Sequence, residues 1–223
     1  KKRPLKTDTY DLCTTPPRKP GMPTIWAMGD SHSGHLQGLL YKLHEILGVG
    51  VHSVTTPGHE FPDSEGQEYA PRMAIFEKVL ANLKAGDIVL ISRLYMERSR
   101  DIVPEKHVPQ WISHVSTLAH ELEERGVSLV VAGPPPMFYF DDIRECDIED
   151  RTRCSVERAE IAAAADEVVN QLVAMKNQNS NVIVFDLFDL VCPAGAERCY
   201  PDDTTRYLYR DRDHFNSFGS QLL

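Results

Sequence analysis

The sequence lacks several features that mark particular classes of protein. No apolar run among its 223 residues approaches the roughly 20 needed to cross a bilayer. It has no tract rich in lysine and arginine, and 33 acidic against 24 basic side chains give a formal charge of −9. Nucleic acid and anionic membrane surfaces are therefore not expected as its main partners. It also lacks a phosphate-binding glycine loop and a dinucleotide fingerprint, and we predict no cofactor.

The N-terminal residues Lys1-Lys2-Arg3-Pro4 lack the apolar segment of a signal peptide. Either a mature secreted chain or an excised domain is expected to begin in this way. Residues 1–23 are polar and rich in proline, and they are predicted to form a linker or an arm over the surface. The folded domain is then expected to occupy residues 24–223.

Cysteine is scarce, but the spacing of the five cysteines is informative. Cys146 and Cys154 flank an acidic loop, and Cys192 and Cys199 flank a second segment of loop-like composition. Two local disulfides are the simplest interpretation; each contributes about 2–3 kcal/mol and indicates an oxidising compartment. Free thiols in a cytosolic protein are the alternative. No CxxC or HxxxH pair supports zinc, so we predict no metal, and Cys13 is left free or paired outside this chain.

Strand-like and helix-like segments alternate from residue 24 onward, and this pattern predicts the fold. Short apolar strands are expected at residues 25–28, 49–55, 88–91, 127–132 and 182–185. Helices with one apolar face are expected at residues 36–47, 73–83 and 109–122, and in a segment capped by Ser155 that runs to Met175. The alternation predicts a three-layer α/β/α sandwich of flavodoxin-like type, with a mainly parallel central sheet.

Right-handed crossovers place the carboxyl ends of such strands along one edge, where ligands bind. Ser31, Gly58, Arg93 and Gly133 each follow a predicted strand. We therefore expect them to lie near one another at that edge.

The segment Gly29-Asp30-Ser31 places a serine on a tight turn, beside helix amides that can stabilise an oxyanion. A nucleophilic serine needs a base, and the base needs an orienting carboxylate. Near the other end of the chain, His214 could take the serine proton while Asp211 holds the second ring nitrogen. Asp213 is a competing orienter, but as a near neighbour it is expected to point away. Taken alone, the serine could simply cap a helix and the histidine could lie on the surface.

These two segments resemble the first and last blocks of SGNH (GDSL-like) hydrolases, here residues 25–32 and 207–219. They resemble in particular the SGNH domain fused to multi-span membrane acyltransferases that O-acetylate bacterial surface polysaccharides. In that subgroup the first block reads Gly-Asp-Ser-His, as at residues 29–32, and a cysteine loop precedes the last block, as at residues 192–199. The resemblance extends over residues 24–219. It implies a catalytic triad of Ser31, His214 and Asp211.

The remaining blocks match less closely. SGNH enzymes usually take oxyanion donors from the serine amide, a second-block glycine and a third-block asparagine, and Gly58 matches the glycine. The third block reads Ser92-Arg93-Leu94-Tyr95 and has no asparagine. The fused subgroup often has an arginine there, so Arg93 is expected to stabilise the oxyanion or bind substrate, with a strand-end salt bridge as the alternative.

A few other polar residues near these blocks carry weaker predictions. The last block has His-Phe-Asn where His-Leu-Ser is usual, a change expected to alter only packing. Among the other histidines, His59 could line the site, and at least one of His32 and His35 is expected to be structural. Asp186 and Asp189 are expected to cap a helix or anchor a loop.

The resemblance implies an O-acetyltransferase that moves acetyl groups onto a cell-surface or extracellular glycan through an acyl-serine. It implies a glycan acceptor, an acyl donor and a transmembrane acyltransferase domain or partner, outside the cytoplasm. A carbohydrate or lipid esterase would share the same intermediate. A non-catalytic module that binds glycan is a further alternative, because the asparagine is missing, and a cytosolic thioesterase is a weaker one.

Overall fold

The computed structural model describes residues 14–63, 70–99 and 102–223. Its strands, in chain order, are β1 (Thr14–Thr15), β2 (Thr24–Gly29), β3 (Gly50–Thr55), β4 (Ile88–Ser92), β5 (Ser128–Ala132), β6 (Val156–Glu157), β7 (Val182–Phe185) and β8 (Arg198–Cys199). Six of them form one sheet in the order β1-β3-β2-β4-β5-β7, in which only the β1–β3 pair is antiparallel. The helices are α1 (Ser31–Gly34), α2 (Gln37–Leu47), α3 (Ala70–Asn82), α4 (Val108–Glu124), α5 (Arg158–Lys176), α6 (Leu187–Val191) and α7 (Ser217–Leu222).

The helices cover the sheet as the predicted three-layer sandwich requires. In α4, Pro109 lies at the helix start and the stripe of Trp111, Val115 and Leu118 is buried. The helix α4 packs against α5, and α2 packs against α7. Strand β4 is buried along almost its whole length, which explains why its sequence is a continuous apolar run. Among the described residues, no helix is long and apolar enough to span a membrane.

The segment before residue 24 extends the sheet at one edge. Strand β1 pairs with β3 in the register Thr14↔His52 and Thr15↔Val51. The amide of Arg18 then donates to the carbonyl of Gly48 at 2.9 Å. The part of the predicted arm that the structure describes therefore lies against the domain, and the boundary at residue 24 stays a prediction.

Both predicted disulfides are present, and the segment after the first of them differs from its prediction. Cys146 bonds to Cys154, and Cys192 bonds to Cys199, whereas Cys13 lies outside the described residues. The prediction that Ser155 caps the following helix is wrong. Ser155 Oγ instead accepts from Arg198 Nε at 2.8 Å, the chain first forms β6, paired with β8 in the register Val156↔Cys199, and the helix starts only at residue 158.

The aspartates after β7 have the structural roles predicted for them. Asp186 is the N-cap of α6, and its side chain accepts from the amides of Phe188 and Asp189. Asp189 lies 2.6 Å from Arg158 in an ion pair. Asp186 therefore caps α6, and Asp189 joins α6 to the start of α5.

The close approach of β2 and β4 fixes the edge where the predicted site residues meet. Gly29 has a φ of +147°, and a Cβ added there would lie 2.2 Å from the carbonyl oxygen of Ser92. Only glycine fits this contact. Without β1, the strand order is that of a flavodoxin-like sheet, whose switch point lies between β2 and β4. The turn with Ser31 and the loop after β4 therefore flank the crevice in which such folds bind ligands.

Candidate active site

The turn that carries Ser31 is held in place by Asp30. This buried aspartate is the N-cap of α1, and one of its oxygens accepts from the amide of His32 at 2.7 Å. Its other oxygen accepts from the amide of Leu94 at 2.9 Å. Asp30 thus joins the turn after β2 to the loop after β4 and fixes Ser31 at the start of the helix.

Two segments far apart in the chain meet at Ser31. The Nε2 atom of His214 lies 2.9 Å from Ser31 Oγ, across 183 positions of sequence. The Nδ1 atom of His214 lies 2.8 Å from Asp211 Oδ1 and 3.1 Å from Asp211 Oδ2. His214 therefore links the other two side chains of the predicted triad, with Ser31 at one ring nitrogen and Asp211 at the other. In this arrangement the imidazole can accept the serine proton.

The backbone around His214 explains how Asp211 reaches the ring. Asp211 Oδ1 also accepts from the amides of Asp213 and His214, at 3.2 and 2.9 Å. An antiparallel β-bridge between Tyr209 and Phe215 brings the two ends of this segment together. Asn216 then caps α7 by accepting from Gly219 at 2.8 Å. The asparagine in the last block thus acts as a helix cap, a role that serine also fills.

Phe215, the other departure in the last block, is buried in an aromatic cluster. Its ring centroid lies 4.7 Å from that of Tyr209 and 4.9 Å from that of His35. Both contacts are ring packing beside the triad, and the prediction that the change from leucine alters only packing stays a prediction.

Asp213 does not point away from the site, so that prediction is wrong. Its Oδ1 atom lies 2.8 Å from His214 Nδ1, and its side chain is only 4% exposed. Arg98, from the loop after β4, contacts the same carboxylate, with Nε at 2.6 Å and Nη2 at 3.3 Å. This ion pair turns the aspartate inward. Arg98 was missed because no local pattern connects positions 115 residues apart.

Three histidine rings cluster behind Ser31. The ring of His32 lies 4.6 Å from that of His214, and the ring of His35 lies 5.0 Å from that of His32. Burial lowers the pKa of His32 to about 4 and the pKa of His35 well below its usual value. Both rings are therefore neutral at physiological pH and act in packing. His52 is likewise buried, against Trp26.

The environment of His214 favours its charged form. Burial disfavours the imidazolium, but the hydrogen bond to Asp211 and the close carboxylate of Asp213 outweigh this effect and raise the pKa of His214 to about 9. Burial likewise acts to raise the pKa of both carboxyls, and the contacts with His214 nevertheless hold both below their usual value. A histidine must be neutral to accept a proton, so this site is suited to base catalysis on the alkaline side of neutrality.

A cleft of about 360 Å³ lies beside the turn with Ser31. Gly58, with a φ of +76°, lines it together with Arg93 and His59. The other lining residues are polar or charged, except for one leucine: Asp30, Glu60, Asp63, Leu94, Glu105 and His107. The predicted residues after β3 and β4 thus line one cleft, which reaches the β2 turn at Asp30, whereas Ser31 itself and Gly133, after β5, are not part of its lining.

Arg93 is buried, and its guanidinium is paired with other residues of the protein. Its Nη1 atom lies 2.5 Å from Glu60 Oε2, and its Nη2 atom pairs with Glu105. Its Nε atom donates to the carbonyl of Leu94 at 2.8 Å. Each nitrogen of the guanidinium therefore faces a protein oxygen, which is the salt-bridge arrangement weighed as the alternative. A contact between Arg93 and substrate stays a prediction.

Among the described residues, one set could geometrically gather around a metal ion. Ligand atoms of His32, Asp213 and His214 lie within 4.8 Å of one another. The carboxylate of this set already pairs with Arg98, and the Nδ1 atom of His214 faces two carboxylates. A metal ion would have to displace these contacts, so we assign none to this set.

The strand order and the site define an α/β protein with a serine–histidine pair at the carboxyl edge of a parallel sheet. The chain belongs to the SGNH family, because the family model of the SGNH domain fused to AT3 domains matches residues 2–223. No curated protein sequence matches the chain.

Two solved structures share the fold at low sequence identity. One is the periplasmic domain of a lipopolysaccharide acetyltransferase from Salmonella ser. Paratyphi A, with 12% identity, a TM-score of 0.61, and coverage of 97% of this chain and 85% of that chain. The other is a candidate SGNH hydrolase from Slackia heliotrinireducens, with 16% identity, a TM-score of 0.62, and coverage of 91% and 95%. The family supports acyl transfer or hydrolysis of SGNH type.

Proposed function

We propose that this chain is a serine-dependent O-acetyltransferase domain that passes an acetyl group to a glycan through an acyl-Ser31 intermediate. The observation that carries the proposal is the 2.9 Å contact between Ser31 Oγ and His214 Nε2. Asp211 on the other ring nitrogen keeps the imidazole in the tautomer and orientation needed for proton transfer.

The reaction proceeds in two halves around one histidine. In the first, His214 takes the proton of Ser31 while Oγ attacks the acetyl carbonyl. The amides of Ser31 and Gly58 donate to the oxyanion, and His214 returns the proton to the departing group. In the second, His214 takes the proton of a sugar hydroxyl, whose oxygen attacks the acyl-serine. Collapse of this intermediate forms the sugar ester and returns the proton to Ser31 Oγ.

The proposed setting is outside the cytoplasm, next to a membrane acyltransferase domain that supplies acetyl groups. Three observations support it. The two disulfides suit an oxidising compartment. The matching family is described as fused to AT3 domains. A structural neighbour is the periplasmic domain of a lipopolysaccharide acetyltransferase.

The test uses purified protein with p-nitrophenyl acetate, with and without bacterial polysaccharide. We expect release of p-nitrophenol, a gain of one acetyl group in the intact mass, and polysaccharide-dependent acetylation. Ser31→Ala should abolish all three and should prevent labelling by a fluorophosphonate. Ser180→Ala is the matched control, because that exposed hydroxyl pairs with Glu123 before the start of β7, at the edge of the sheet opposite Ser31.

Three results would contradict this function. If acetate is released and no acetyl group is transferred to added polysaccharide, the protein is an esterase that uses the same acyl-serine intermediate. Equal fluorophosphonate labelling of the wild type and of Ser31→Ala would exclude Ser31 as the nucleophile, and a wild type that is not labelled at all would favour a non-catalytic glycan-binding module.

A further inference from the structure

Two carboxylates, rather than one, contact the distal nitrogen of His214. Asp211 Oδ1 and Asp213 Oδ1 each lie 2.8 Å from Nδ1. A neutral imidazole has a single hydrogen on that nitrogen, and a triad needs only one acceptor for it. The second carboxylate therefore has a role that the three-residue mechanism does not include.

The two carboxylates are held in different ways. The side chain of Asp211 is 31% exposed and is fixed by the local backbone, through the amides of Asp213 and His214. The side chain of Asp213 is 4% exposed and is fixed from outside the segment, by Arg98. Asp211 is thus set by its own turn, whereas Asp213 depends on the loop that follows β4.

We propose that Asp213 is a second positioning residue for His214, held against Nδ1 as an ion-pair partner beside the hydrogen bond to Asp211, and that Arg98 tunes its strength. This inference rests on the proposed function of His214 as the base. Either carboxylate alone keeps the ring oriented toward Ser31. The positive charge of Arg98 partly neutralises Asp213, so the imidazolium is stabilised less than by two unpaired carboxylates.

Other polar groups around the pair leave this balance intact. His32 Nε2 lies 3.9 Å from Asp213 Oδ2, but burial keeps that ring neutral, as it does His35. Tyr209 is buried nearby, and burial raises its pKa well above its usual value, so it is neutral too. Arg210 Nε lies 3.4 Å from Asp211 Oδ2 at the exposed side. Arg98 is therefore the charged partner that bears directly on Asp213.

The first measurement is the pH dependence of kcat/KM for p-nitrophenyl acetate. In the wild type, kcat/KM should rise with pH and reach a plateau above an apparent pKa near 9, because protonated His214 cannot act as a base. This rising part of the profile is called its limb. Asp213→Asn removes a negative charge beside the ring, so its limb should move about one pH unit or more toward acid. Arg98→Gln leaves that charge unopposed, so its limb should move toward alkaline pH.

The second measurement is a double-mutant cycle. Asp211→Asn and Asp213→Asn should each lower kcat/KM only about tenfold at the plateau, because the other carboxylate still orients the ring. The double variant should lose about 10⁴-fold or more, the order expected when an orienting carboxylate is absent. Its loss should exceed the product of the two single losses, since the two residues replace each other.

The chain offers a matched control for removing a buried, arginine-paired aspartate. Asp202 is buried and lies 2.6 Å from Arg151 Nε, much as Asp213 lies 2.6 Å from Arg98 Nε. Asp202→Asn should lower the Tm as Asp213→Asn does, but it should leave the pH limb in place. A limb that moves equally in both variants would overturn the proposal. If Asp213→Asn does not fold, Arg98→Gln still decides, since its limb must move the opposite way.

NMR titration of the imidazole, assigned with His214→Gln, separates this proposal from the proposed function. The wild type could hydrolyse no ester while Asp213→Asn still lowers the pKa of His214. This result would refute the proposed enzymatic function and support the role of Asp213 at His214. The wild type could instead be active while Asp213→Asn changes neither that pKa nor kcat/KM. This result would overturn the role proposed for Asp213 and leave the proposed enzymatic function standing.

Discussion

The oxyanion role predicted for Gly58 depends on a backbone conformation that can be tested with a matched glycine. Gly58 and Gly86 have φ values of +76° and +90°, and a Cβ added at either would meet nothing within 4 Å. Alanine at either position should therefore cost only the left-handed penalty of about 1–2 kcal/mol. Gly58→Ala should also lower kcat by about tenfold or more, approaching the 10²–10³ of a lost oxyanion donor, because its amide shifts. Urea unfolding and ester hydrolysis measure the two effects.

Gly86→Ala is the control for strain alone, since Gly86 lies in the turn that enters β4, at the end of the strand away from the cleft. It should lose the same stability and keep the wild-type kcat. If the two variants keep equal activity, the amide of Gly58 takes no part in stabilising the oxyanion.

The two disulfides join elements of unequal burial, and this should decide the order in which they are reduced. Cys192 and Cys199 are each 1% exposed, in the core beside β8, whereas Cys146 and Cys154 are partly exposed at the surface. A reductant should therefore reach the bond between Cys146 and Cys154 first. Alkylation and peptide mass analysis during mild reduction of the native protein would show the order. Simultaneous loss of both bonds would mean that reduction requires global unfolding.

Unfolding free energies should show a comparable contribution from each disulfide. The bonds close loops of similar length, with sequence separations of 8 and 7. Each is therefore expected to contribute about 2–3 kcal/mol.

The regular elements were predictable because their burial leaves a long pattern in the sequence. Strand β4 is a continuous apolar run, and α4 repeats an apolar residue every three or four positions, so both were predicted to within a few residues. The short strands β1, β6 and β8 were not predicted. Two residues carry no periodicity, and each pairs only because a distant segment lies beside it.

In the site, residues in local motifs were predicted, and contacts between distant segments were missed. Ser31 and His214 stand in recognisable local motifs, each next to a strand or a turn. The inward position of Asp213 depends on Arg98, which lies 115 residues away in a polar loop. Arg93 was correctly placed after β4, but its pairing with Glu60 and Glu105 is a tertiary contact that no spacing indicates.

At the scale of the whole molecule, acidic side chains outnumber basic ones, and the same holds for the cleft beside the turn with Ser31. The chain carries a formal charge of −9. The carboxylates that line the cleft, from Asp30, Glu60, Asp63 and Glu105, face a single arginine, Arg93. Such a field disfavours the approach of anions, so neutral sugars should be better acceptors than acidic ones.

This field predicts how ionic strength should affect substrate choice. At low salt, kcat/KM should be several-fold lower for an acetyl ester with a sulfonated leaving group than for a neutral ester of equal reactivity. Raising the ionic strength from about 0.01 M to 0.5 M shortens the Debye length from about 30 Å to below 8 Å, so the difference should shrink. The neutral ester is the internal control, because salt should leave its rate almost unchanged. A preference for the anionic ester at low salt would mean that Arg93, rather than the surrounding carboxylates, dominates the field that a substrate meets.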